Sequence, residues 1–199
     1  MTAAVKANND GSAAIQVGGS DAIQISAALN TTFVGTVTSS TGALYPLVSG
    51  TAVASTSGTS IDFTGIPSTA KRITVLLSGV STSGTSSLLV QIGSGSVQIT
   101  GYSSTSVLAN MTSSTNGLAS TAGMVMYTNN AADSKTGSLI LNILTGNTWI
   151  ANHSAKIIAS ANIFGAGDVT LSGVLDRVRI TTVNGTDTFD AGTVNIMWE

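Results

Sequence analysis

The 199-residue chain has no cysteine, two prolines and one histidine, and Asp, Glu, Lys and Arg together make up only 8% of it. The lack of cysteine excludes disulfides and thiol chemistry. The seven basic residues are scattered, which argues against nucleic-acid binding, because that requires clustered Lys and Arg. We expect no membrane partner either, since no apolar run approaches the about 18 residues of a span and the first residues lack a signal-peptide core.

Hydroxyl side chains take the place of charges. Ser and Thr fill 57 positions, 28 and 29 respectively, and 42% of the residues are hydrophobic. Ser, Thr and Gly disfavour helices, because they compete for backbone hydrogen bonds or cost about 1 kcal/mol per site. Thr and Val suit strands, so the composition predicts an all-β protein.

The N-terminal part contains a short repeat. Gly11–Val17 recurs as Gly19–Ile25, with a period of eight residues, and each copy offers one short strand with alternate apolar residues. Such a strand cannot bury its apolar face alone, so it needs stacked units or neighbouring chains. We predict that residues 1–50 form a small β module for docking. Its candidate assembly residues are Ile15, Val17, Ile23, Ile25 and Phe33.

Residues 51–199 contain short strand candidates separated by Ser, Gly and Asn turns, which predicts a β-sandwich of jelly-roll type. The strand candidates are Ser60–Phe63, Arg72–Leu77, Leu88–Ile92, Ser96–Thr100, Gly123–Thr128, Ser138–Leu144, Thr148–Ala151, Val169–Val174, Arg177–Val183 and Thr193–Trp198. Val107–Leu118 reads as a short helix or a long loop. Few charges protect the strand edges, so we expect a homo-oligomer, specifically a homotrimer.

Catalytic and metal-binding patterns are weak. The single His153 lies in no nucleophile motif, and Ser is so abundant that its proximity to His153 carries little information. Asp187 and Asp190 form the one close acidic pair in a predicted loop and are the candidate Ca²⁺ ligands. A turn explains them better, because Asn-Gly precedes them. Asp133 and Asp168 are interpreted as turn residues too, and we expect no enzyme activity and no cofactor.

A host glycan is a further candidate partner. Tyr127, Asn129 and Trp149 combine aromatic rings with an amide, as a glycan contact requires, but the core or a subunit interface explains the aromatic residues better. Arg177 and Arg179 are expected to form ion pairs with Asp176 or Asp62.

Three stretches resemble bacteriophage virion proteins. GTSIDFTGIPSTAKRITVLLSGVSTSGTSSLLVQIGSGSVQITGY (Gly58–Tyr102) and LSGVLDRVRITTVNGTDTFDAGTVNIMWE (Leu171–Glu199) resemble C-terminal domains of tail-fibre and related appendage proteins. Lys6–Phe33 resembles a module found near the start of phage structural proteins. The resemblance implies a virion protein, assembled in the host cytoplasm, with a trimeric β-fold and an exposed sandwich.

The chain has almost no shaft between the two predicted parts, which suits a short appendage. We therefore expect a short tail-fibre-type protein that contacts the host surface and other virion proteins. The alternatives are a capsid decoration or head-fibre protein and, more remotely, a glycan-degrading tailspike-like enzyme. Copy number per particle would separate the first two.

Overall fold

The computed structural model describes the backbone of residues 3–7, 13–17, 20–25, 31–32, 38–39, 42–43, 46–110, 115–158 and 161–199. Side chains are described within these ranges from residue 46 onward, except at 115 and 158. All regular elements in them are strands, which confirms the all-β prediction. None of these residues therefore belongs to a helix long and apolar enough to cross a membrane.

The chain divides into two compact units, Met1–Pro46 and Leu47–Glu199. The sequence-based division at residue 50 lies slightly beyond this point, because Val48–Ser49 pairs with the last strand of the second unit.

The first unit contains a four-stranded antiparallel sheet in the order β1-β2-β3-β4 and a separate short pair, β5-β6. These strands are β1 Ala3–Ala7, β2 Ala13–Val17, β3 Ser20–Ile25, β4 Thr31–Thr32, β5 Thr38–Ser39 and β6 Gly42–Ala43. The two repeats form β2 and β3, with Ile15 opposite Ile23, so the predicted short strands are confirmed. Ile15, Val17, Ile23 and Ile25 lie on this pair, whereas Phe33 lies outside the described residues.

The second unit consists of two antiparallel sheets. Its strands are β7 Val48–Ser49, β8 Val53–Ala54, β9 Ile61–Thr64, β10 Arg72–Thr82, β11 Leu88–Ser94, β12 Ser96–Val97, β13 Ser103–Asn110, β14 Thr115–Ser120, β15 Met124–Met126, β16 Lys135–Thr145, β17 Thr148–Ile158, β18 Ala161–Thr170, β19 Arg177–Thr182 and β20 Phe189–Trp198. The larger sheet has the order β14-β13-β18-β17-β16-β10-β20-β7, and β8 also pairs with β20. The smaller sheet has the order β12-β11-β19-β9, and β15 also pairs with β11.

The two sheets form a β-sandwich around one hydrophobic core. The chain crosses between the sheets repeatedly, as in a jelly roll, whereas β16, β17 and β18 follow one another within the larger sheet. Alternation along the strands supplies the core, because successive side chains point to opposite faces. Ile73 and Val75 of β10 are fully buried, as are Val178 and Ile180 of β19. Burying each such side chain stabilises the fold by about 1.5–3 kcal/mol.

Two sequence-based assignments are wrong. Val107–Leu118, expected to be a short helix or a long loop, belongs to strands β13 and β14, which pair with Ser106 opposite Leu118. Val169–Val174 was expected to be a strand, but β18 begins at Ala161 and ends at Thr170. Gly165 and Gly167 lie within β18, where close packing requires glycine: a Cβ at Gly167 would lie 2.6 Å from the Cβ of Ser104.

Tyr102 connects the two sheets. Its hydroxyl accepts a hydrogen bond from the Ile92 backbone N–H at 2.8 Å and lies 3.0 Å from the carbonyl oxygen of Gln98. Burial raises the pKa of Tyr102 to about 12. The start of β13 is therefore fixed to β11 in the other sheet.

Candidate functional site

The predicted glycan residues are only partly brought together. Trp149 on β17 is 2% exposed and belongs to the core, so it offers no ring face to a ligand and its assignment as a glycan contact is wrong. Tyr127 is half-buried against the core, and its hydroxyl lies 3.5 Å from the amide oxygen of the exposed Asn129. Trp149 is buried because a large indole gains more from burial than from an exposed position beside a turn.

The segment after β15 is organised by a buried carboxylate. Asp133 is 2% exposed and accepts hydrogen bonds from the backbone N–H groups of Asn129 and Asn130, both at 2.8 Å. It thus has the turn role expected from the sequence. Nearby Lys135 is 1% exposed, and burial lowers its pKa to about 8, although the charge of Asp133 opposes that change. Sequence reasoning did not single out Lys135, because nothing in its local pattern marks it as buried.

Asp187 and Asp190 take part in separate hydrogen bonds. The Asp187 carboxylate accepts from the Ser86 backbone N–H at 3.0 Å and from the Asn184 side-chain amide at 2.7 Å. Asp190 accepts from the Ser81 hydroxyl. Within the part of the chain that the structure describes, no group of three or more His, Cys, Asp or Glu side chains could hold a metal ion. Asp187 closes a turn, as expected, whereas Asp190 lies on strand β20, so its assignment as a turn residue is wrong. The two carboxylates have separate partners, and the geometry gives them no common ligand.

The single histidine forms a buried pair with a serine. His153 Nε2 lies 3.0 Å from Ser106 Oγ, and that oxygen also accepts the Tyr127 backbone N–H at 3.0 Å. Ser106 is fully buried and His153 is 5% exposed. Burial lowers the pKa of His153 to about 4, so the ring is neutral at pH 7. The pair joins β13 to β17 below the sheet surface, out of reach of a substrate.

The outer face of the larger sheet is broad and uncharged at its centre. The strand register defines two neighbouring rows of outward residues, which we call the broad face. They are Thr105, Ala166, Asn152, Ile140, Thr74 and Met197 in one row, and Val107, Phe164, Ser154, Ser138, Leu76 and Asn195 in the other. Phe164 is 49% exposed, and Ile150, beside the first row, is 42% exposed.

A hollow of about 470 Å³ lies on this face over β13, β17 and β18. Small side chains leave the space, among them Ala166 and Thr105. Asp168 stands at one end of the hollow and is exposed on the outer side of β18, so its assignment as a turn residue is wrong. Exposed apolar side chains around a hollow are typical of surfaces that bind a partner.

The outer face of the smaller sheet carries a different site. A groove of about 400 Å³, which we call the polar groove, crosses β11 and β19. Its lining residues include Gln91, Ile99, Arg179, Thr181, Val183 and Asn184. Arg179 donates two hydrogen bonds to Asp62 on β9, at 2.7 and 2.8 Å, and Gln91 donates to the carbonyl oxygen of Ala122 at 2.8 Å. The expected ion pairs Arg179–Asp62 and Arg177–Asp176 are both confirmed.

These hydrogen bonds give the polar groove fixed donors and acceptors on rigid strands. The Asp62 pair uses two of the five N–H donors of the Arg179 guanidinium, and a carboxylate has further acceptor positions. The groove can therefore hydrogen-bond a polar ligand without breaking its own ion pair. Sequence reasoning identified the ion pair but not the groove, because the groove depends on three strands distant in the chain.

Comparisons of this chain with protein-family models, curated proteins and solved structures find no match.

Proposed function

We propose that this chain is a structural protein of a bacteriophage particle, a short tail-fibre-type appendage that contacts the host surface without enzymatic activity. The observation that carries the proposal is a sandwich with two unlike outer faces, one broad and uncharged at its centre, the other with a polar groove. An appendage needs one surface for its assembly and another for its target. The resemblance of Gly58–Tyr102 and Leu171–Glu199 to phage appendage domains supports the same conclusion.

The second unit would carry the surface that contacts the host. The polar groove offers hydrogen-bonding groups with a half-exposed apolar residue, Val183, at its rim. Tyr127 and Asn129 provide a second, smaller polar contact. This surface suits a hydroxyl-rich ligand, since neutral donors and acceptors match sugar hydroxyls and the arginine is already paired with Asp62.

The first unit would dock the protein on the particle. Its β2–β3 pair is built from the two repeats, in which apolar residues alternate along the sequence, and these residues would contact a neighbouring chain or a virion protein. Deletion of residues 1–46 is expected to abolish incorporation into particles, while the remaining sandwich keeps a cooperative thermal transition. Truncated protein that still purifies with particles would contradict this assignment.

The decisive measurement is the position and number of copies on intact particles. Quantitative mass spectrometry against the major capsid protein, with antibody labelling in the electron microscope, would give both. A handful of copies at the tail is the expected result. A protein absent from purified particles would refute the proposal.

A capsid decoration protein is the second candidate. The broad face favours it, because a shell-cementing protein needs extensive contact through hydroxyl and apolar groups. Many tens of copies distributed over the head would establish this function in place of the first. The homotrimer expected from the sequence stays a prediction under either function.

A further inference from the structure

The broad face carries a projecting side chain beside a hollow on the same strand. Phe164 is 49% exposed, and Ala166, two residues further along β18, lines the hollow of about 470 Å³. Gly165 lies midway between them. A twofold axis that crosses the strands at the level of Gly165 exchanges the positions of Phe164 and Ala166. Two copies related by it would each place Phe164 over the hollow of the other.

The two isolated charges of the central strands fit the same axis. Asp168 lies three residues after Gly165 on β18, and Asn162, which lies opposite Lys156 of β17, comes three residues before it. Both Lys156 and Asp168 are exposed on the outer side of the sheet. They are roughly 20 Å apart along the strands, too far to pair within one copy. The axis places Lys156 of one copy opposite the strand next to Asp168 of the other, with a lateral offset of about one strand spacing, ~4.8 Å, so the two side chains can meet across the gap between the sheets.

We propose that the broad face binds the broad face of a second copy of this chain around this twofold axis. The two sheets would pack face to face, about 10 Å apart and with their strands aligned within about 30°. Seven strands from β14 to β20 and about six residues along each give a projected area of roughly 600 Å² per copy. Stable interfaces bury about 800 Å² of accessible surface per partner. Because projecting side chains make the accessible surface of a sheet larger than its flat projection, the face is close to the size that a pair requires.

This pairing goes beyond the proposed function and does not depend on it. A twofold contact is isologous, meaning that the same patch lies on both sides. A threefold arrangement cannot place one patch against itself, so the pairing predicts an even number of copies. A trimer formed through other surfaces would associate through the broad face into six copies.

The mass of the full-length chain in solution tests the proposal. Light scattering coupled to size exclusion, at micromolar concentration, is expected to give two or six copies. A monomer or an isolated trimer would overturn the proposal. A monomer is also the result expected if another segment of this chain or a different virion protein covers the face.

Point variants test the position of the axis. Phe164→Glu is expected to weaken association at least about 100-fold, because it removes the aromatic ring at the centre of the interface and places a carboxylate in a hollow that already contains Asp168. Val183→Glu is the matched control, since Val183 is also 49% exposed but lies at the rim of the polar groove. Both variants should keep the thermal transition of the wild type. Equal weakening by both, or by neither, would contradict the assignment.

Exchanging the two charges distinguishes a direct contact between Lys156 and Asp168 of the two copies from a general effect of the substitutions on the fold. Lys156→Glu should weaken association by about fivefold, because it sets two carboxylates against each other in each of two symmetric contacts. The double variant Lys156→Glu, Asp168→Lys should restore it, since the opposite charges then meet with the sign reversed. Failure of the second substitution to restore association would refute the proposed axis.

Discussion

The charges on strands β17 and β18 of the larger sheet and on β19 of the smaller sheet differ in how they are paired. On the smaller sheet, Arg179 and Arg177 each pair with a neighbouring aspartate at 2.7 Å. On the larger sheet, Lys156 and Asp168 lie on adjacent strands on opposite sides of the broad face. The smaller sheet can therefore face water as it is, with its groove open. Strands β17 and β18 of the larger sheet expose apolar groups and separated charges, which a partner would cover, whereas Arg72 at the start of β10 already pairs with Glu199 at 2.6 Å.

The largest expected effect comes from breaking the packing directly below the broad face. A Cβ at Gly165 would collide with the backbone carbonyl oxygen of Thr105 and with the ring of His153. Moving backbone atoms costs more free energy than moving the end of a flexible side chain. We therefore expect Gly165→Ala to lower the free energy of unfolding by about 3 kcal/mol. Urea denaturation measures this.

The control is Ala166→Ser, on the next residue of the same strand. Its side chain points outward into the hollow and should change the free energy of unfolding by less than about 0.5 kcal/mol. If Gly165→Ala were as stable as Ala166→Ser, the close approach of β13 and β18 would not limit this position.

The next effect is a loss of stability in acid, and it arises in the larger sheet, where His153 is buried on β17. The folded-state pKa of His153 is about 4, below its ordinary value of 6.5, because the ring is buried. The unfolded chain then binds a proton that the folded chain does not, so stability falls as the pH drops from 6.5 to 4. The loss attributable to His153 is about 3 kcal/mol at pH 4.

Thermal or urea unfolding at several pH values measures this dependence. His153→Gln removes the titrating group and should flatten the curve between pH 6.5 and 4 relative to the wild type. The same acid loss in both proteins would assign it to carboxylates instead.

The smallest effect concerns the paired charges of the smaller sheet. The Arg179–Asp62 pair is more than a third exposed on both sides, so solvent screens it. A double-mutant cycle with Arg179→Gln and Asp62→Asn should give a coupling of about 0.5 kcal/mol that vanishes at 1 M salt. A coupling above about 2 kcal/mol would show that the pair contributes to stability as a buried one would.

The strands that the sequence predicted well share one property. In Arg72–Leu77 and Arg177–Val183 apolar and polar residues alternate, so one face must be buried. Strands β13 and β14 lack that alternation. Ser104 and Ser106 point inward there, and their hydroxyls are satisfied by backbone groups of residues near β15. The burial of these serines could not be predicted from the sequence, because it depends on hydrogen bonds to a strand that only the tertiary structure places beside them.

The candidate sites also divide into those that a local sequence pattern predicts and those that depend on distant strands. The ion pairs of Arg177 and Arg179 were predictable because each arginine alternates with the core residues of its strand. The burial of Trp149 and the turn role of Asp187 were the alternatives that the local pattern already favoured, whereas Asp190 lies on strand β20. The polar groove and the hollow were not predictable, because each is formed by strands far apart in the chain.

The sequence by itself determined the all-β class, most of the strand positions and the low surface charge, because hydroxyl content and twofold alternation act locally. Only the tertiary structure decided which residues share a face. That choice depends on strand order and register, since a shift of one residue in a strand turns every side chain to the other side of the sheet. Phe164 therefore lies beside a hollow and Arg179 in a groove through pairings that no local pattern specifies.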